Sequence, residues 1–434
     1  MPHLTSPKGR NRIEMIKSSK SIQTEKQTSL PLGGSRRGQP FAFIKIAERE
    51  IEFISKDKFA VTLLVILPVI VYLFLSFVYV QGALRNIPVA VYDADHSEIS
   101  RTVTSMIESS PAMKITYYLS SGDDLKDFFL NHDELALFYI PPGFAKDIYR
   151  NRSTRLVVYT NSANIVYGNI MYREAATIAG TVSAGTTISR LEHAGIDHPT
   201  SMGLIMPVKV HSKILFNPWF NYLYYLVPGI MTVLLQMFIF FVSARAFNSE
   251  HKNGTFNEMV RTGNGSALHI LTGKTLAYLA YGVSIIMLIA IVFILFGIPF
   301  KHKVVELIVL FSIFTVINIS LGFMLSATID DELVALDIAF FYNSPAFVFS
   351  GFTFPLFGMP FFNSLYGQFI PYTHFLHAYF KLYQMGAPFH YIVPDLKILF
   401  IFLATGMITT YTALRLRIKE ETEVQTQAVP EAAA

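Results

Sequence analysis

Between residues 214 and 300 the chain carries two long uncharged stretches separated by a short, strongly charged one, and few folds accept that arrangement. Residues 214–244 and 275–300 contain no Asp, Glu, Lys or Arg. A bilayer core of ~30 Å needs about 20 mostly apolar residues in a helix, and only a helix or a closed barrel satisfies its backbone groups where there is no water. Each stretch is long enough to cross. The insert between them holds Arg245, Glu250, Lys252, Glu258 and Arg261. An Arg, Lys or Asp costs ~2.5 to 3.5 kcal/mol at a span centre, so this insert belongs in water.

Composition supports the same reading. Of 434 residues 52% are hydrophobic and 15% charged, against about 25% charged in a soluble domain. With no cysteine, disulfides, thiolate metal sites and cysteine nucleophiles are excluded.

The insert runs from Glu250 through Gly254, Thr255, Glu258 and Thr262 to Gly273 and Lys274. That order resembles the permease subunits of type-2 ABC exporters, in the branch with a large extracytoplasmic domain between the first two transmembrane helices. Asn253 stands where a basic residue is usual, and Gly263 where Pro often follows the Thr. The resemblance implies that residues 245–265 are a coupling helix docking on an ABC ATPase subunit through Glu250, Gly254, Thr255, Glu258 and Arg261. It further implies a second permease, forming a homo- or heterodimer, and hydrolysis of ATP with Mg on the partner, this chain binding no cofactor itself.

Along the chain, residues 1–40 are polar, lack apolar periodicity and read as a disordered tail. In residues 41–58, Phe41, Ile44, Ala47, Ile51 and Ile54 can share one helical face, which predicts an amphipathic helix in the membrane interface. The first span covers 59–80. About a dozen Lys and Arg precede it, which places the N-terminus in the cytoplasm. Residues 85–221 alternate short apolar runs with polar helical stretches and predict an extracytoplasmic α/β domain. Its start, Val91 to Ser97, and its Ile-Pro-Pro-Gly-Phe turn at 140–144 resemble the same branch. Asp93, Asp95 and His96 could be read as metal ligands, but Asp and Ser after a strand more often cap the next helix, and no metal site is assigned.

Residues 222–414 hold spans two to six, with an outer hairpin at 350–385 broken by prolines, and residues 415–434 form a cytoplasmic tail behind Arg415, Arg417 and Lys419. Both termini inside requires an even span count. The sequence therefore predicts an α-helical polytopic membrane protein with six transmembrane helices plus a re-entrant or interfacial hairpin, and an inserted extracytoplasmic α/β domain. Polar residues and helix breakers inside spans mark pathways: Pro228, Gly229, Asn318, Asn343 and Pro345 are candidates for a substrate pathway or gate, with Phe352 and Phe354 in the hairpin.

Residues 269–275, HILTGKT, do not complete a phosphate loop, because Leu268 stands where Gly is required. No catalytic constellation and no nucleic-acid signature is present. The expected function is a non-enzymatic permease in the bacterial inner membrane, exporting a hydrophobic or amphipathic molecule such as a drug, lipid or glycoconjugate, with a periplasmic adaptor as a further partner. The competing reading is a membrane receptor or scaffold whose outer domain binds a partner.

Overall fold

A computed structural model describes residues 41–120, 125–208, 213–299 and 303–431. The expected N-terminal tail, residues 1–40, lies outside the described residues. Helix α1 (Ala42–Lys56) is amphipathic, and the stripe it buries in the protein is offset from the predicted apolar face. Ala42, Ile46, Ala47 and Ile54 are buried together with Glu50, whereas Phe41, Ile44 and Ile51 are exposed. The buried stripe at four-residue spacing admits a carboxylate because a cation meets it there, as described below. After Asp57 the chain enters α2 (Lys58–Val78), whose turn Thr62–Ile66 is π-helical just before Pro68. Such a turn absorbs the backbone mismatch that a proline introduces into a helix.

An α/β unit follows. Strands β1 (Ile87–Asp93), β2 (Met113–Tyr118), β3 (Ala136–Ile140) and β4 (Val157–Thr160) form one sheet in the order β2-β1-β3-β4. The first three are parallel and β4 is antiparallel to β3. Helices α3 (Glu98–Ser109), α4 (Leu125–Asn131), α5 (Phe144–Tyr149), α6 (Ile165–His193) and α7 (His198–Ile205) complete it. Val89, Val91, Phe138 and Ile140 bury one sheet face against Val103 of α3, Ile148 of α5 and Val182 of α6. Ala90 and Leu137 bury the other against Phe128 of α4. Asp93 accepts from the backbone N–H of Asp95 (3.0 Å) and His96 (2.9 Å) and from the Ser100 hydroxyl (2.7 Å), while Ser97 caps α3 in a capping box. These side chains organise a turn and a helix start.

The remaining helices form the bundle. Helix α8 (Tyr222–Ser243) leads through α9 (Asn248–Lys252) and α10 (Phe256–Thr262) into α11 (Ala267–Leu295), then α12 (Val304–Thr328) and α13 (Glu332–Asn343) with its continuation α14 (Ala346–Phe349). Next come α15 (Phe361–Gln368), α16 (Pro371–Tyr383) and the last helix, α17 (Val393–Glu431). Six helices among the described residues are long and apolar enough to cross a membrane. At 8 and 13 residues, α15 and α16 fall short of the about 20 that a crossing needs. Helices α8 and α12 pack together at the centre, with α17 along α12 and α1 along α11.

Helix α8 starts at Tyr222, just after Phe216 and Phe220, which hold positive φ. Two other boundaries differ from the sequence expectation. Helix α11 starts at Ala267, capped by Ser266, so Lys274 sits inside the helix and not at its mouth. Helix α17 continues unbroken past Leu414, where a tail was expected.

Candidate functional site

Lys274 is fully buried on α11, and its ammonium has three acceptors: Glu50 Oε2 of α1 at 2.5 Å, Glu250 Oε1 of α9 at 3.0 Å, and the Ala246 carbonyl at 3.1 Å. Glu250, also fully buried, is gripped from three further directions. Arg49 of α1 donates to both its oxygens, at 2.6 and 2.9 Å, and the Thr255 hydroxyl donates to Oε2 at 2.5 Å. Arg49 then reaches outward to Glu258 of α10 at 3.4 Å. Two cations and three carboxylates thus join α1, α9, α10 and α11. Burial pushes the Glu50 carboxyl above its ordinary value, and Lys274 offsets only part of that shift.

The local sequence explains the geometry. Gly254 takes a left-handed φ of +69°, a conformation that costs other residues ~1 to 2 kcal/mol. The reversal lets the Thr255 N–H reach the Glu250 carbonyl at 2.9 Å and brings its hydroxyl to the Glu250 carboxylate. At Gly273 a Cβ would stand 2.5 Å from the Phe43 carbonyl and 2.6 Å from the Ile46 Cβ, so only glycine lets α1 lie close enough for Glu50 to meet Lys274. The Glu-x3-Gly-Thr and Gly-Lys pairs in the insert pattern are therefore the parts of one junction.

A second ionic group lies at the same end. Arg245 pairs with Asp57 at 2.9 Å and with Glu332, and stacks over Phe59 with its guanidinium carbon 4.5 Å from the ring centre. Lys252 reaches Glu332 at 3.0 Å and Arg417 of α17 reaches Asp330 at 2.6 Å, while Asp331 caps α13. Each acid of the Asp330-Asp331-Glu332 turn is thus engaged.

The predicted insert residues divide. Glu250 is buried and Thr255 half-buried, whereas Gly254, Glu258 and Arg261 are exposed. Phe256 and Met259 turn the other side of α10 into the core. The free face of the insert is therefore Asn257, Glu258 and Arg261. Sequence reasoning missed Glu50 and gave Lys274 only as the end of the insert pattern; the signal for Glu50 was an acid at the same four-residue spacing as Ala42, Ile46 and Ile54.

The gate candidates also divide. At Gly229, beside Pro228 inside α8, a Cβ would lie 2.2 Å from the Phe352 ring, so the segment after α14 inserts Phe352 into a notch in α8. Phe352 stacks with Tyr225 (4.9 Å between centres), whose hydroxyl donates to the Phe352 carbonyl at 2.8 Å. Tyr372 of α16 donates to the Gly229 carbonyl at 2.7 Å. Asn343 meets Gln236 of α8 at 2.8 Å, a partner not anticipated. Asn318 bonds only within its own helix, to the Phe314 carbonyl at 2.8 Å. Pro345 caps α14, and Phe354 is exposed and away from the notch.

A family model described as ABC-2 family transporter protein matches residues 58–411. The chain belongs to that family. It is 21% identical over 363 residues to the probable multidrug ABC transporter permease YbhR of Escherichia coli K12, covering 82% of this chain and 93% of the relative. It is 23% identical over 287 residues to the probable multidrug ABC transporter permease YbhS of the same strain, covering 64% and 72%. This chain is the permease component of an ABC transporter, and the buried junction lies in and beside its insert between the second and third spans.

Removing Lys274 leaves the buried Glu50 without its cation and Glu250 with Arg49 alone. Lys274→Met should destabilise this permease by about 3 to 5 kcal/mol, the cost of breaking a buried pair, read as a lower melting temperature in lipid nanodiscs. A group whose folded pKa is raised contributes stability that is full below its unfolded value and lost as pH rises through the folded value. Glu50→Gln keeps that position neutral at every pH, so it should cost less than Lys274→Met and flatten the fall in melting temperature between acid and neutral pH. Equal losses in the two variants would contradict this arrangement. Gly273→Leu should push α1 off α11, seen as faster hydrogen exchange in α1 with α12 and α17 unchanged.

Proposed function

We propose that the permease is the membrane half of an ATP-driven exporter that moves hydrophobic or amphipathic molecules out of the cytoplasm or inner leaflet. The observation that carries this reading is the buried junction, which fixes the insert to α1 and α11 while leaving Asn257, Glu258 and Arg261 outward. A force applied to a mobile loop dissipates; one applied to α10 is delivered to α1 and α11. A separate ATPase subunit, binding ATP and Mg, docks on that face, and a second permease completes the transporter. The printed description of YbhR and YbhS as probable multidrug permeases favours drug-like substrates.

In this reading the insert, both termini and the Asp330–Glu332 turn are cytoplasmic, the membrane is the bacterial inner membrane, and the α/β unit is extracytoplasmic, where a periplasmic adaptor could meet it. The hairpin at 350–385 is re-entrant from the outer side, and Phe352 in the Gly229 notch closes the outer end of the pathway. The stack of Tyr225, Phe352 and Phe380, with centres 4.9 to 6.1 Å apart, supplies an aromatic lining suited to apolar cargo.

The test is affinity purification in mild detergent with identification of copurifying proteins and an ATPase assay. Glu258→Arg should reduce the recovered ATPase by about tenfold, since it reverses a rim charge at the docking face, with the permease still folded. An undiminished ATPase and full efflux in that variant would overturn the docking assignment. Recovery of an intact permease with no nucleotide-binding subunit would favour the receptor or scaffold instead. Phe352→Ala empties the notch without touching the insert. It should lower drug efflux in cells while the ATPase still copurifies, separating the outer closure from docking.

A further inference from the structure

The α/β unit contains a cavity that neither the junction nor the notch uses. It has a volume of about 360 Å³ and opens between α3, α5, the loop 150–156 and the C-terminal half of α6. This is within the ~300 to 1,000 Å³ of small-molecule sites. Its floor is the core of the unit: Val103, Phe144, Ile148 and Val182 are all buried side chains that also line the cavity. Its rim is polar and positive. Arg152, Arg190, Asn151 and the hydroxyls of Ser183, Thr186 and Thr187 surround the opening, and no Asp or Glu lines it.

The charge at the rim is uncompensated. The loop following α5 holds Arg150, Arg152 and Arg155 within six positions, and among the described residues none of the three pairs with a carboxylate. Arg190 is held in place by neutral acceptors only, the Asn151 side-chain oxygen and the Ile148 carbonyl at 2.6 Å. A guanidinium has five N–H donors, so Arg190 is oriented at the rim and keeps both its charge and free donors. Fixed cations beside an apolar hollow recognise an anion that carries an apolar body, because each part alone would leave either the donors or the hollow unfilled.

We infer that this cavity binds a single-chain amphipathic anion, a carboxylate or phosphate ester on an alkyl or aryl body, that reaches the unit from water. The head group sits at Arg152 and Arg190 and the apolar body lies on Ile148, Leu156, Ala179 and Val182. Nothing in this assignment depends on ATP-driven export or on which partner docks at the insert.

The experiment uses the full chain in phosphatidylcholine nanodiscs, with radiolabelled laurate as the probe and empty discs subtracted. Laurate should bind saturably. Arg152 is exposed and makes no ion pair, so Arg152→Glu should leave the fold intact and weaken binding by about tenfold or more. Ser183→Trp, at an exposed position on α6, should fill the hollow and abolish binding. Dodecanol, with the same chain and no charge, should compete about tenfold less well, and inorganic phosphate alone should not displace the probe. Unsaturable uptake, or affinity unchanged in both variants, would overturn the site. Displacement by phosphate as effective as by laurate would overturn its amphipathic character. Displacement by phosphatidylglycerol placed in the discs would move the ligand source to the membrane and overturn the assignment to a soluble anion.

Discussion

The packing of the insert against α1 and α11 depends on a single buried ammonium. An unpaired charge in such a place costs several kcal/mol, so Lys274 dictates that carboxylates be brought to it. They come from two segments more than 190 positions apart, Glu50 in α1 and Glu250 in α9. Each then imposes a further demand. Glu50 needs α1 in contact with α11, which Gly273 permits; Glu250 needs its remaining lone pairs filled, which Arg49 and Thr255 do. The close backbone approach, the left-handed turn at Gly254 and the rigidity of the insert are consequences of the same ion.

The notch at Gly229 works by other physics. Its selectivity is steric: a flat ring fits where any side chain on α8 would collide, and hydroxyls of Tyr225 and Tyr372 fasten α8 to the segment holding Phe352 and to α16 through backbone carbonyls. In a low-dielectric setting those neutral bonds satisfy groups that water cannot reach. Helix α8 touches both places, carrying Gly229 in its first half and leading into Ala246, whose carbonyl accepts from Lys274. A helix of 22 residues spans ~33 Å at 1.5 Å per residue, so one rigid element joins the ionic junction to the aromatic notch.

The α/β unit is built on neither device. Its sheet buries apolar side chains on both faces, and its polar residues serve local turns: Asp93, Asp95, Ser97 and Ser100 hold the start of α3 and the approach to α5. Among the described residues the arginines after α5 are left without carboxylate partners, while the threonine hydroxyls of α6 donate to carbonyls of their own helix.

The sequence by itself determined the spans, the charged insert and the strand and helix alternation of the α/β unit, because hydrophobic run length and periodicity are local properties. It also gave the insert pattern residue by residue, and named Pro228, Gly229 and Phe352 among the gate candidates without bringing them together. It put Lys274 at the mouth of a span and did not show that Glu50 belongs to the buried stripe of α1. A charge inside a helix is acceptable only when its counter-ions are known, and those lie far away in the chain. Whether Glu250 faces outward or inward, which of two glycines makes a turn and which admits a neighbouring helix, and whether Asn318 or Asn343 meets a partner were decided by tertiary packing alone. Each is a question about what stands opposite a residue, and distances across the bundle are not written in spacing along the chain.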